Sequence, residues 1–455
     1  LEEQERQGHP RLGGDLGKPL ALRQRQTLAD TRFTLCRAAE AALSGAAAAE
    51  VRGVSANYYN PAALARSRGL EVSVGYFRAS HHLEMNGKDS HVEDVHGVVT
   101  GLVVPGRVWR VPFAFGVALH LPDDSLSKVR ARRQETPRWE LYDVRNQRLY
   151  FAANLAVEPF PWLQIGGGLS FMSATTARLD ITGSANIFKS DDSQLRHEVD
   201  ADLTAVRYPQ AGVRVALSPR VALAAVYRGQ FELDLDVKAR LAGDISGLTT
   251  ALYQLETQSI NAFVPRQCVL GGSWELTRDL RAMLDVTWIE WSAYVAPAAD
   301  LTTVLDVPPP AGGWPATIAP PAAPPKVALV PLRLHDRLVP HLGLEWQALH
   351  LRRHAGFVRG GYEVMRSPFD GQSGLTSYVD RDRHSFSLGL GYALTRPARE
   401  LLGVLSLDAH AQLALVPTET TRKANPADFT GDFTAGGRFF SLGVTATFAF
   451  SPEGR

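Results

Sequence analysis

From about residue 70 the chain alternates apolar and polar residues with a period of two, and it does so to its end. Between Val221 and Arg240, Leu223, Ala225, Tyr227, Phe231, Leu233, Leu235 and Val237 share one face, while Arg228, Gln230, Glu232, Asp234, Asp236, Lys238 and Arg240 share the other. Such alternation marks a strand whose two faces meet different surroundings. Leu405, Leu407, Ala409, Ala411, Leu413 and Leu415 likewise alternate with Ser406, Asp408, His410 and Gln412. Phe440, Leu442, Val444, Ala446, Phe448 and Phe450 alternate with Ser441, Gly443, Thr445 and Thr447. Less regular runs begin near Leu70, Val95, Val111, Tyr142, Leu163, Asp202, Ile260, Leu280, Arg337, His354 and His384. The pattern predicts an all-β chain of about fourteen strands, and an even number suits a closed antiparallel barrel.

The connections sort by parity. Short ones carry tight-turn residues, as at Val104-Pro105-Gly106, Pro159-Phe160-Pro161, Ser218-Pro219-Arg220, Thr277-Arg278-Asp279 and Thr395-Arg396-Pro397. Those between them are long and polar or Pro-rich, as at 81–94, 122–141, 241–259, 296–336, 366–383 and 417–437. Short turns on one rim and long loops on the other distinguish a transmembrane barrel from a sandwich or propeller. In lipid every backbone N–H and C=O must be paired, so the sheet must close. Trp162, Trp274, Trp288, Trp291, Tyr294 and Tyr392 fall near strand ends, where interfacial aromatic girdles are expected. Phe450 has the position of a terminal aromatic in a barrel assembly signal, with residues 451–455 as a short tail beyond it.

Ahead of the barrel, assigned to residues 69–450, two segments differ in composition. Residues 1–26 are polar and without hydrophobic period, and read as a tail. Residues 27–68 are alanine-rich and predict short helices before the Asn60-Pro61 turn, forming a plug or hatch for the lumen. The chain starts at Leu1 with no recognisable signal peptide, which suggests a processed or truncated start.

Composition narrows the function. A net charge of +1 argues against a nucleic-acid partner. No apolar run reaches the ~18–20 residues of a membrane helix, a test to which barrel strands are invisible. Cys36 and Cys268 make neither a disulfide framework nor a metal cluster; Cys268 falls on an apolar strand face, and Cys36 lacks the context of a lipidation site. No cofactor is implied. His81, His82, His91 and His96, with Glu84, Asp89, Glu93 and Asp94, match no tight metal-binding spacing and read as a solvated loop. Asp380, Arg381, Asp382 and Arg383 alternate in sign and read as a salt-bridge ladder. Ser406, Asp408 and His410 share a strand face, but ~7 Å between such neighbours is too far for a nucleophile and its base, so no enzyme is predicted.

Several segments resemble the FadL/TodX family of outer-membrane transporters of long-chain fatty acids and aromatic hydrocarbons. Ser55-Ala56-Asn57-Tyr58-Tyr59-Asn60-Pro61-Ala62-Ala63-Leu64-Ala65 is similar to that family's hatch motif. Tyr227-Arg228-Gly229, Trp288 to Tyr294 and the stretch from Ser367-Pro368 to Tyr392 follow in the family's order, so that the resemblance covers roughly 33–450. It implies a 14-stranded bacterial outer-membrane barrel plugged by a hatch containing Asn60, Pro61 and Ala62. Hydrophobic cargo, a long-chain fatty acid foremost, would enter through outer loops facing lipopolysaccharide. It would pass a lumen pocket and leave through a lateral opening beside a kinked third strand, here Val111 to Leu121, where Gly116 and Pro122 weaken pairing.

Ala63 departs from the family's glycine, which puts a tight left-handed turn there in doubt. The N-terminal tail and the Pro-rich loop 307–325 are also unusual, and they support an alternative in which the barrel docks a partner protein as a docking or secretion component. For the transporter, a lipid carboxylate requires a cation, and Arg228, Lys238, Arg281 and Arg359 are the lumen-facing candidates. The competing role for each is to pair with a lumen carboxylate such as Glu232, Asp234, Asp285 or Glu363.

Overall fold

The alternating segments pair into one antiparallel sheet that closes on itself. In the computed structural model the strands are β1 (Glu71–Met85), β2 (Val95–Val108), β3 (Val111–Pro122), β4 (Tyr150–Phe160), β5 (Leu163–Ser184), β6 (Gln194–Ser218), β7 (Val221–Arg228), β8 (Gln267–Glu275), β9 (Leu280–Ile289), β10 (Arg337–His350), β11 (His354–Met365), β12 (Arg383–Thr395), β13 (Gly403–Thr421) and β14 (Phe433–Phe450). Each pairs with its neighbours in sequence, and β1 pairs with β14 from Glu71↔Ala449 to Met85↔Ala435, leaving no free edge. The structure describes residues 27–28, 37–123, 137–143, 149–184, 194–245, 249–294, 300–309, 312–313, 334–369, 372–373, 378–398, 402–425 and 430–450. The tails 1–26 and 451–455, Cys36 and most of the loop 307–325 lie outside the described residues, as does the side chain of Lys238.

The predicted faces sort as inside and outside of the barrel. Along β10, Leu338, Leu342 and Leu344 are each more than half exposed, while Arg337, Val339 and His341 are buried in the lumen. Along β13 and β14, Leu407, Leu413, Leu442 and Val444 point outward, and Asp408, His410, Ser441 and Thr445 point inward. An apolar exterior running around the whole barrel far exceeds the patch a soluble monomer leaves exposed, so this face meets lipid. No described helix is long and apolar enough to cross a membrane; the crossing is made by strands.

Two expectations are corrected. The run from Val221 to Arg240 is not one strand, because β7 ends at Arg228 and the chain bends at Gly229-Gln230. Phe231–Ile245 then pairs with Thr249–Val264 in a separate small sheet. The bend turns Phe231 from the expected outer face to a buried site stacked on Tyr208, with ring centroids 6.3 Å apart. A register break of this kind leaves sequence periodicity intact and so escapes it. Trp291 and Tyr294 are likewise not girdle residues: they leave β9 at the long-loop rim, fold over the lumen and pack on Phe263. Trp162, Trp274 and Tyr392 are exposed near the short turns, as a girdle requires.

The interior is layered along the barrel axis. At the long-loop rim an apolar cluster including Leu83, Trp139, Phe263, Trp291, Val379 and Phe433 closes the mouth. Two loops are tied across it where Arg138–Trp139 pairs in parallel with Tyr378–Val379. Below lies the N-terminal hatch, and below that a charged vestibule opens at the short-turn rim.

Candidate functional site: the hatch and its seats in the barrel wall

The hatch is a chain of short turns, which its composition explains. Helices α1 (Ala38–Ala41) and α2 (Ala56–Tyr59) are one turn each, followed by a 3-10 segment at Pro61–Arg66. Asn60 caps this segment, its Oδ1 accepting from the Ala62 N–H at 3.1 Å, and Pro61 takes the first helical position, where its missing N–H costs nothing. Ala63 lies in this right-handed segment, so no left-handed turn is needed there; Ser44 (φ 49°) and Gly45 (φ 82°) supply that conformation instead.

Isolated pieces this short do not hold themselves. The barrel wall holds them, through inward-facing polar side chains that complete the hatch's unpaired backbone groups. Arg228 donates to the Tyr58 carbonyl at 2.8 and 3.1 Å, and its guanidinium lies 4.2 Å over the Tyr58 ring. Gln210 donates to the Asn57 carbonyl at 2.7 Å, and Asn154 donates to the Asn57 Oδ1 at 3.0 Å. Asp285 Oδ2 accepts from the Ala47 and Ala48 N–H groups, both at 2.8 Å. His341 Nδ1 donates to the Ser44 carbonyl at 2.8 Å. Asn60 donates to the Ala48 carbonyl at 2.9 Å, binding two hatch turns to each other.

Glycines in the wall allow this approach. A Cβ at Gly166 on β5 would come within 2.5 Å of the Pro61 carbonyl carbon and 2.6 Å of the Ala62 nitrogen. At Gly361 on β11 it would meet the Ser44 nitrogen at 2.5 Å. Both are strand positions where a second backbone comes too close for a side chain.

On the short-turn side the hatch faces a vestibule of about 520 Å³. Glu50 lines it, held by Arg214 (3.1 Å), Arg66 (3.3 Å), Arg281 (3.8 Å) and the Ser273 hydroxyl (3.0 Å). Burial pushes the Glu50 carboxyl up, but Arg66, Arg281 and Arg214 outweigh it and hold it at about 2. On the long-loop side a cavity of about 70 Å³ lies between the hatch turns and the wall, reached by Tyr58, Tyr59, Phe77, Asp285 and His410 among others.

The structure separates the predicted head-group residues. Arg228 lines the upper cavity but is engaged by the hatch carbonyls and by Gln267 Oε1 at 3.1 Å. Arg281 and Arg359 lie together in the vestibule and share Glu345. Arg281 also binds Glu275 (2.7 Å) and Arg359 binds Asp408 (2.6 Å), so their carboxylate partners are not those expected from the sequence. Gly116 sits on β3 between Val103 and Asn154, where a Cβ would meet Asn57 and Leu64 of the hatch. Pro122 ends that strand opposite Gly97, and both ladders of β3 run without a register shift. Of the histidines and carboxylates read as a solvated loop, His81 lies on β1, buried and edge-on against Phe439, and His96 lies on β2, paired with Asp123; Asp94, just before β2, pairs with Arg78 at 2.7 Å. In the 380–383 run, Arg383 pairs with Glu363 (3.1 Å), and Asp382 accepts from the Ser367 N–H (2.8 Å).

Sequence reasoning missed Asn57, Glu50, Asn154, Gln210, Arg214 and His341. For Asn154, Gln210, Arg214 and His341 the signal was a polar side chain at an inward position of an otherwise small or apolar strand face, which identifies a partner across the lumen without naming it. Asn57 and Glu50 lie in the hatch, where no strand period marks them.

Closed wall, lipid-facing exterior and an internal plug seated by wall side chains define a transmembrane barrel occluded from within. The family model for outer membrane protein transport protein (OMPP1/FadL/TodX) matches residues 34–304, more than half of the chain, and the chain belongs to this family of outer-membrane transporters of hydrophobic compounds. Among solved structures, a Pseudomonas aeruginosa FadL homologue is similar over 92% of this chain and 98% of its own, with 15% identity and a TM-score of 0.57. The toluene transporter TodX of P. putida is similar over 92% and 100%, with 11% identity and a TM-score of 0.51. The toluene transporter TbuX of Ralstonia pickettii covers 92% and 99%, with 13% identity and a TM-score of 0.50. At these identities the likeness carries the fold alone. No curated protein matches the chain.

Proposed function

We propose that this protein is a passive outer-membrane channel for uptake of hydrophobic small molecules, with the hatch as its gate. The observation that carries the reading is the hatch itself: a plug of one-turn segments, seated by side-chain hydrogen bonds on several strands, between an apolar loop cluster and a charged vestibule. Cargo enters from the long-loop rim, where apolar side chains gather it, and reaches the upper cavity. Movement of the hatch then enlarges that cavity, since about 70 Å³ is roughly half of a ~150 Å³ apolar cavity known to take up benzene. The vestibule below, crowded with paired arginines and carboxylates, is a poor solvent for such cargo, which supports exit sideways into the bilayer. The opening expected beside β3 fits this route, because Gly116 rests on Asn57 and Leu64 and would feel the hatch move.

A long-chain fatty acid is the cargo suggested by the sequence resemblance, each buried methylene contributing about 0.8 kcal/mol. Its carboxylate would have to compete with the present partners of Arg228, Arg281 or Arg359. Native mass spectrometry with lipid extraction, on protein purified gently from membranes, tests the reading. A co-purifying hydrophobic molecule, at up to one per barrel, is the expected result. An empty barrel arriving with a stoichiometric partner protein would overturn it in favour of a docking component.

A further inference from the structure

The upper cavity is not a plain apolar hole. Tyr58, Tyr59 and Phe77 give it an aromatic side, with the Tyr58 and Tyr59 rings edge to face at 5.3 Å. Three strands add polar atoms that find no hydrogen-bond partner: Asp285 Oδ1 on β9, His410 Nδ1 on β13 and the Ser441 hydroxyl on β14. All three side chains are at least nine-tenths buried. Buried polar groups are nearly always satisfied, so three orphans around one cavity call for a partner that enters it.

From this geometry we infer that the cavity selects a small aromatic molecule bearing a hydroxyl, of the phenol type, over either a bare hydrocarbon or a long-chain acid. The inference rests on the uptake reading above and names the substrate class of the same site. The ring packs against the tyrosines and Phe77, and the hydroxyl exchanges hydrogen bonds with the Ser441 hydroxyl and His410 Nδ1, which stand two positions apart on the paired strands β14 and β13. A hydrocarbon would leave those atoms unpaired, which is the stronger form of discrimination a pocket can exert. A carboxylate would meet Asp285 and Glu363, whereas the arginines on the same cavity are engaged, Arg228 by the hatch carbonyls and Arg383 by Glu363. A long acyl chain would also exceed the small space by far more than one ring does.

The test is calorimetric binding of phenol, toluene, benzoate and hexadecanoate to the full chain in nanodiscs. Phenol should bind at least about tenfold tighter than toluene or benzoate, a preference of the size one satisfied polar contact gives. Ser441→Ala and His410→Phe should each reduce that preference severalfold without weakening toluene. Asp285→Asn is the less clean variant, because Asp285 also holds the hatch turn. Equal affinity for phenol and toluene, unchanged in both variants, would overturn the inference and assign the orphan atoms to water. Binding of hexadecanoate alone would overturn it too, yet leave the uptake reading standing. Binding of none of the four would sink both.

Discussion

Removing the Glu50 carboxylate should loosen the hatch. Glu50→Gln keeps the side chain's size but deletes the charge to which Arg214, Arg66 and Arg281 converge. A carboxyl held at about 2 against an ordinary 4.5 is worth about 3 kcal/mol of differential stabilisation in its ionised form. Because the vestibule is wet and partly screens these pairs, about 2 kcal/mol is the figure to expect at pH 7. That corresponds to a roughly 30-fold rise in the population with the hatch unseated. The sign with pH follows: the folded value is depressed, so the contribution is complete above the ordinary value near 4.5 and is lost as pH falls from there towards 2. Single-channel recording in planar bilayers measures it, as the open probability of the wild type and the variant at pH 7, 5 and 3. The wild type should open more often at pH 3, and the variant should already be open at pH 7 and respond little to acid. An open probability in the variant within about twofold of wild type at pH 7 would mean that the arginine cluster does not hold the gate.

Three further outcomes are expected. Gly361→Val should push the 43–45 turn off β11 at a cost of about 1–3 kcal/mol of overpacking, and cells carrying it should become sensitive to large hydrophilic antibiotics; unchanged resistance would mean the hatch yields without unseating. Leu342→Arg, at an exterior position about half exposed (51%), should destabilise the barrel by about 2–4 kcal/mol in urea-driven unfolding from lipid vesicles if it lies near the bilayer midplane, whereas an exposed surface site facing water would change by about 0.5 kcal/mol or less. In the long loops, burial pushes the Asp380 carboxyl up to about 6 despite Arg337 and Ser367, so the folded loops bind its proton more tightly than the unfolded chain does. Their stability should therefore fall as pH rises from about 4 through about 6. Hydrogen-exchange protection factors across 378–383, which remove the intrinsic pH dependence of amide exchange, should fall over that interval and stay level in Asp380→Asn.

Much of this protein was legible in its sequence, because a barrel wall is a local code. Leu442 and Ser441 face opposite ways whatever else the chain does, since successive residues of a strand must. The need to cover an apolar face on every strand, with no free edge, then leads to closure. The Asn60-Pro61 cap was likewise readable, as both residues act within three positions of themselves. What the tertiary structure alone decided was which inward side chains meet across the lumen. Arg228, one of the head-group candidates, holds the Tyr58 carbonyl, 170 residues away in the chain. Asp285 meets the amides of Ala47 and Ala48, and Glu50 gathers arginines from two strands and the hatch itself. The bend at Gly229-Gln230, which sends Phe231 inward, broke no sequence rule either. Alternation fixes the side of the wall on which a residue lies, but the partner it finds there depends on barrel closure and on where the hatch comes to rest.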